Sequence, residues 1–174
     1  MIARPLYRYN MDMKAPAGIS IRKITRESGE WKTRYAAFYA DFDLKDVDGL
    51  DHAFFAAYSG EEIAGHSVVY LEEDRWVLDG LRVKPEFRER GIAKALTAAR
   101  IRYAAGRGAK EVWYSCEDGN LVTTCCHLRF GFEKMRKEGP ACRAGTANWY
   151  RLKITPSLFK KFPDLKPPAG HSVP

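Results

Sequence analysis

The residues best suited to chemistry lie mid-chain, in the run Val83-Lys84-Pro85-Glu86-Phe87-Arg88-Glu89-Arg90-Gly91-Ile92-Ala93-Lys94. An apolar strand pattern ends there, passes through a proline turn and opens into a helical pattern. The first N–H groups of a helix have no intrahelical acceptor, and they sit at the positive end of the helix dipole. Such an end binds anions. Gly91 and Ala93 are small enough for a phosphate to approach the backbone closely, while Arg88 and Arg90 add charge. The run reads as a cradle for a diphosphate.

A second pattern lies downstream. Asn120 precedes a short helical stretch that ends at Gly131-Phe132. Other candidates are carboxylates. Asp79 interrupts the apolar run Trp76, Val77, Leu78 and Leu81, and burial there would raise its pKa toward that of a working base. Glu117, at the end of the next strand pattern, is its rival. Asp79 also reads as a hydrogen-bonded structural acid near a turn.

These residues must be positioned by the elements around them. Ile19 to Ile24 alternates like a half-buried strand, and Trp31, Tyr35, Phe38 and Phe42 recur at helical spacing over 30–42. Three strands are expected at 52–58, 62–71 and 75–83, separated by Ser59-Gly60 and by Glu72-Glu73-Asp74. After the cradle, Ile92, Leu96, Ala99 and Tyr103 mark one face of a helix that ends near Gly106 and Gly108. A strand follows at 111–116, then a short helix whose inner face would be Leu121, Cys125 and Leu128. Strands at 132–138 and 146–154 close the series. Residues 155–174 carry five prolines and read as an extended tail, either disordered or wrapped on the domain.

Taken in order, strand, Arg88-x-x-Gly91-x-Ala93, helix, strand, Asn120, short helix and Gly131-Phe132 resemble the GCN5-related N-acetyltransferase (GNAT) superfamily over about residues 19–154. The resemblance implies an α/β (α+β) fold: a mixed, mostly antiparallel twisted sheet of about six to seven strands flanked by helices. It would have an N-terminal extension over 1–18 and the proline-rich tail over 155–174. It implies an acetyl-CoA-dependent N-acetyltransferase that moves an acetyl group directly to a primary amine of a small cationic molecule or of a peptide or protein. The alternative is an acyl-CoA-binding sensor or interaction module with little or no catalysis.

Carried over residue by residue, the resemblance makes Leu81, Arg82 and Val83 the strand end that offers backbone groups to the pantetheine arm of coenzyme A. Arg88, Glu89, Arg90, Gly91, Ile92, Ala93 and Lys94 would hold the pyrophosphate. Asn120 would bond the arm from the other side, or merely cap its helix. Arg129 would reach a cofactor phosphate, or stand as a solvated cation. Asp79 lies four residues before Val83, where some members place a catalytic glutamate. The family's common pattern has a tyrosine seven residues after the Asn, directed at the cofactor sulfur, and this chain has His127 there. An imidazolium, with a reference pKa of about 6.5 against about 10 for a phenol, would serve as the acid, or the histidine only packs. Cys126 reads as packing rather than as a nucleophile.

Bulk properties agree. A chain of 174 residues is long enough to bury roughly 70% of its unfolded surface. The net charge of +7 suits solubility or a polyanionic small molecule. Basic residues form no dense run and no nucleic-acid motif, which argues against nucleic acid. The apolar runs are too short for a membrane span, and residues 1–18 lack a signal-like apolar segment, so a cytoplasmic setting is expected. Cys116, Cys125, Cys126 and Cys142 lack metal-ligand spacing, so free thiols and no metal are expected. Asp41, Asp43, Asp46, Asp48 and Asp51 form an acidic stretch that reads as a solvated loop or as a rim attracting a cationic amine. Homodimerisation is allowed by family habit.

Overall fold

The computed structural model describes residues 15–24, 47, 49–117, 119–135 and 148–167. The expected helix over 30–42, the acids Asp41, Asp43, Asp46 and Asp48, and Cys142 lie outside them.

Among the described residues, seven strands form one sheet in the order β1-β2-β3-β4-β5-β7-β6. They are β1 (Ile19–Ile24), β2 (His52–Ser59), β3 (Glu62–Glu72), β4 (Arg75–Val83), β5 (Glu111–Cys116), β6 (Glu133–Met135) and β7 (Asn148–Lys153). The first four make an antiparallel meander, as the turn residues between them predict. Of these seven, only β4 and β5 run parallel, and their pairing is two residues long, Trp76 to Val112 and Val77 to Trp113. Beyond Val77 the two strands part.

A bulge accompanies the parting. Opposite Ser67 of β3 stand two residues of β4, Gly80 and Leu81, since Val68 pairs with Asp79 and His66 with Arg82. Gly80 has φ +58°, a conformation that favours glycine. An extra residue bends its strand and ends regular pairing, which turns the end of β4 away from β5.

Helix α1 (Ile92–Gly106) lies on one face of the sheet and buries most of its circumference, including Ile92, Leu96, Ala98, Ile101 and Ala104. Gly65 of β3 sets how closely it lies. A Cβ there would meet the Arg82 carbonyl at 2.9 Å and Ile92 and Leu96 side chains at 3.2 Å. The first turns of α1 thus rest directly on the sheet backbone. The opposite face carries a smaller cluster of Val47, Phe54, Val68, Tyr70 and Val77.

Two expectations are corrected. In α2 (Leu121–Leu128), Leu121, Cys125 and Leu128 are exposed, and the fully buried side chain is His127. The Asn120 cap and the stacking of His127 on Tyr114 set the helix rotation, and these outweigh the apolar pattern of so short a helix. Nor is the start of the tail extended. Thr155 caps α3 (Pro156–Lys161) by accepting the Leu158 N–H at 3.3 Å. Leu158, Phe162 and Leu165 are then buried against the domain. Proline at the first helical position is compatible with a helix start, so the prolines here bend the segment onto the core.

Candidate active site

The end of β4 beyond the parting, the N-terminus of α1 and α2 enclose a cleft of about 670 Å³. Leu81, Arg82 and Val83 form one wall. Arg88, Glu89, Gly91, Ile92, Ala93 and Lys94 form one end, and Asn120 and Arg129 stand across from them. All the candidate cofactor residues thus share one cleft except Arg90, whose guanidinium lies over the Phe87 ring at 5.5 Å. Sequence reasoning missed Phe87, Val122, Thr123 and Cys125 as lining residues, and Cys126, read as packing, lines it too. The only signal for Val122 is an apolar side chain left exposed on a helix.

The cradle geometry follows from its residues. Arg88 is extended, and its Nε donates to the Val83 carbonyl at 3.1 Å, folding the side chain back on the end of β4. Glu89 and Gly91 have φ +61° and +83°. Left-handed residues within such a loop turn successive N–H groups toward a common concavity suited to anions. Gly91 caps α1 without any side-chain hydrogen bond, and the first N–H bonded back to it is that of Ala95. The N–H groups of Ile92, Ala93 and Lys94 therefore face a ligand position unclaimed by the helix. Arg82, Arg88, Lys94 and Arg129 surround the cleft, and among the described residues Glu89 is the one carboxylate lining it.

Asn120 does cap its helix, with Oδ1 accepting the Thr123 N–H at 3.2 Å. This use of the oxygen leaves the amide N–H groups as the donors it can offer a ligand.

The candidates for proton transfer are dispersed. Asp79 sits half-buried at the bulge, where its Oδ1 accepts the Gly80 N–H at 2.8 Å. Glu117 is exposed at the end of β5, and its carbonyl accepts the Asn120 N–H. His127 is 1% exposed, stacked on Tyr114 at 3.9 Å and edge-on to Phe132. Its Nδ1 lies 2.8 Å from the Thr123 carbonyl. A carbonyl only accepts, so Nδ1 carries the proton and Nε2 holds a lone pair. Burial, and then the Arg100 charge, lower the His127 pKa to about 3. Such a ring is neutral near pH 7, which favours the packing alternative over an imidazolium acid.

Behind the inner end of the cleft lies Arg100 of α1, wholly buried. Nothing in the sequence singled it out, because an arginine on a helix ordinarily reads as surface.

The family model described as "Acetyltransferase (GNAT) family" matches residues 19–132. The chain belongs to that family. The aminoglycoside N(6')-acetyltransferase type 1 of Salmonella typhimurium is 35% identical over 60 residues, which cover 34% of this chain and 41% of that protein. The chain therefore matches about two fifths of the length of that relative. The thialysine N-epsilon-acetyltransferase of Caenorhabditis elegans is 22% identical over 125 residues, covering 69% of this chain and 73% of that protein. Among solved structures, the PaiA N-acetyltransferase of Thermoplasma acidophilum in complex with coenzyme A superposes with a TM-score of 0.58 at 20% identity. That match covers 78% of this chain and 99% of the other. At that identity it shows the GNAT fold, with its mostly antiparallel seven-stranded sheet. No helix among the described residues is long and apolar enough to cross a membrane.

Proposed function

We propose that this GNAT protein is an acetyl-CoA-dependent N-acetyltransferase acting on a primary amine of a small cationic molecule or a peptide. One observation carries the reading: unclaimed N–H groups at the start of α1 open into the same cleft as the edge of β4 that β5 has left. The first feature suits a diphosphate and the second an extended amide chain, and coenzyme A has both. The relatives named for aminoglycoside and thialysine acetylation support a cationic amine as acceptor. The free thiols of Cys116, Cys125 and Cys126 suit a reducing compartment such as the cytoplasm.

In the reaction the amine nitrogen attacks the thioester carbonyl, the C–S bond breaks, and coenzyme A leaves as its thiolate. The strand edge and cradle hold the two reactants in line. The ammonium proton must go to a base, and Asp79 is assigned that role because it stands at the bulge where the strands part. Glu117, exposed on the far strand, is the second choice. His127 supplies no proton and serves as packing behind α2.

The missing acid keeps a second reading open, an acyl-CoA-binding module without turnover. Titration of acetyl-CoA by calorimetry, followed by a panel of polyamines, aminoglycosides and lysine peptides, separates the two. Binding with turnover supports the enzyme; binding with no turnover on any amine supports the module. In the enzyme, Asp79→Asn lowers kcat by about 10²- to 10³-fold with acetyl-CoA affinity retained. Near-wild-type turnover across pH removes Asp79 as base.

A further inference from the structure

Arg100 is 0% exposed, and every hydrogen bond it makes goes to a neutral oxygen. Nε donates to the Leu96 carbonyl at 3.4 Å, Nη1 to the Asp79 carbonyl at 3.2 Å and Nη2 to Thr97 Oγ1 at 2.9 Å. No carboxylate among the described residues forms an ion pair with it, and the Asp79 carboxylate acts on it only through space. A buried guanidinium without a bonded counter-ion carries a large desolvation cost. Its pKa is pulled down by burial to about 10, so it stays charged at neutral pH. Such a charge acts across its immediate neighbours on an anion in the adjoining cleft.

Its position says which anion. Arg100 lies about 12 Å along α1 from Ile92, at 1.5 Å per residue, a span that an extended pantetheine arm covers from the cradle. Both groups between it and the cleft are identified. The Asp79 carbonyl is two residues before Leu81, which lines the cleft. Thr97 Oγ1 lies 3.9 Å from the Sγ of Cys126, which also lines it. Ser67, opposite the bulge, faces the α1 side of the sheet by its pairing with Phe55, and its buried hydroxyl has no hydrogen-bond partner among the described residues.

We propose that Arg100, set with Thr97 and Ser67 behind the cleft-lining Cys126, is the charged backing of a subsite for the coenzyme A thiolate, so that the departing sulfur is stabilised by a buried positive charge rather than protonated. This rests on the cofactor reading above. On collapse of the tetrahedral intermediate the C–S bond pair stays on sulfur and the amine proton leaves through the base, so the step balances without an acid. It accounts for a neutral histidine where the family pattern has a tyrosine.

The test uses the intact protein with coenzyme A and acetyl-CoA, whose difference is the free thiol. The titratable and charged groups that act on Arg100, Cys126 or their neighbours are Lys94 of α1, His66 of β3, Asp79 of β4, Tyr114 and Cys116 of β5, and His127 and Arg129 at α2. His66 and His127 have pKa values lowered to about 3 by burial and by Arg100. Burial raises those of Tyr114 and Cys126. All surround both ligands alike, so their titration cancels in the comparison.

A thiol whose pKa falls on binding makes affinity rise with pH, and a bound pKa lower by one makes the total rise about tenfold. Calorimetry from about pH 6 to about pH 9 should show coenzyme A affinity rising several-fold relative to acetyl-CoA, the share of the total rise that falls within that window. Arg100→Met and the polar Arg100→Gln should abolish the rise while retaining acetyl-CoA binding. A flat ratio in the wild type overturns the subsite and leaves the cofactor reading standing, and this arm needs no variant to fold. A rise that persists in either variant overturns it as well. If neither ligand binds, the cofactor reading itself falls.

Discussion

The two ends of the cleft present positive charge by different means. At the cradle, exposed arginines and a lysine stand over backbone N–H groups, and the conformation rests on Gly91 and Glu89 in left-handed φ. At the inner end one guanidinium is buried among neutral side chains, with two histidines beside it held neutral. Charges in water are screened and contribute modestly one by one, so the cradle needs several donors and serves affinity. A charge in a low-dielectric interior acts strongly on its few neighbours, so on the proposed reading the inner end needs only one and would serve chemistry. Binding and reactivity should therefore be separable by substitution.

The largest effect is expected at the cradle. Gly91→Glu places a carboxylate where the diphosphate would sit and imposes a left-handed φ on a residue with a Cβ. Acetyl-CoA affinity should fall at least about a hundredfold, or ~2.7 kcal/mol. The nearest neighbour of a Cβ at Gly91 is Pro16 at 3.7 Å, so a folded protein should remain, as thermal unfolding will show. Retained affinity would break the contrast between the two ends.

His127→Phe sharpens it from the other side. The His127 pKa lies near 6.5 unfolded and about 3 folded. The unfolded chain thus binds the extra proton first as pH falls, and stability present above about 6.5 is lost toward 3. Each such histidine contributes a slope of up to about 1.4 kcal/mol per pH unit in that window. Replacing His127 should flatten the acid limb of urea stability by that amount and leave acetyl-CoA binding nearly unchanged. An unaltered limb would mean that the ring is charged in the folded protein.

Glu89→Gly is the smallest change. It removes a carboxylate from among the cradle cations and relieves a left-handed non-glycine residue. Affinity should rise about two- to threefold by titration at low salt, with the gain shrinking as salt is added. A loss of affinity would assign Glu89 a bonding role instead.

The cradle was readable because its parts are adjacent in the chain. A strand end, Arg88, Gly91 and a helix start within a dozen residues state their own geometry, and the Asn120 cap is equally local. Asp79 was singled out because a carboxylate breaks an apolar run. Arg100 and the inner face of α2 could not be found that way. Arginine on a helix and three apolar residues in eight carry a surface and a core signal respectively, and packing reversed both. The proline-rich tail was left open between disorder and wrapping for a related reason: proline forbids some conformations but does not say whether Leu158, Phe162 and Leu165 find a surface to cover.

By itself the sequence determined the strands, the main helix and the glycine loop that opens it, because hydrophobic period, turn residues and helix-end chemistry act over a few residues. Tertiary structure alone decided which side chains lose their water. The Gly80 bulge, the Gly65 contact and the closing of the C-terminal segment over α1 come from distant parts of the chain. Desolvation depends on all of them together, and it is desolvation that makes His127 neutral and leaves Arg100 as a buried charge.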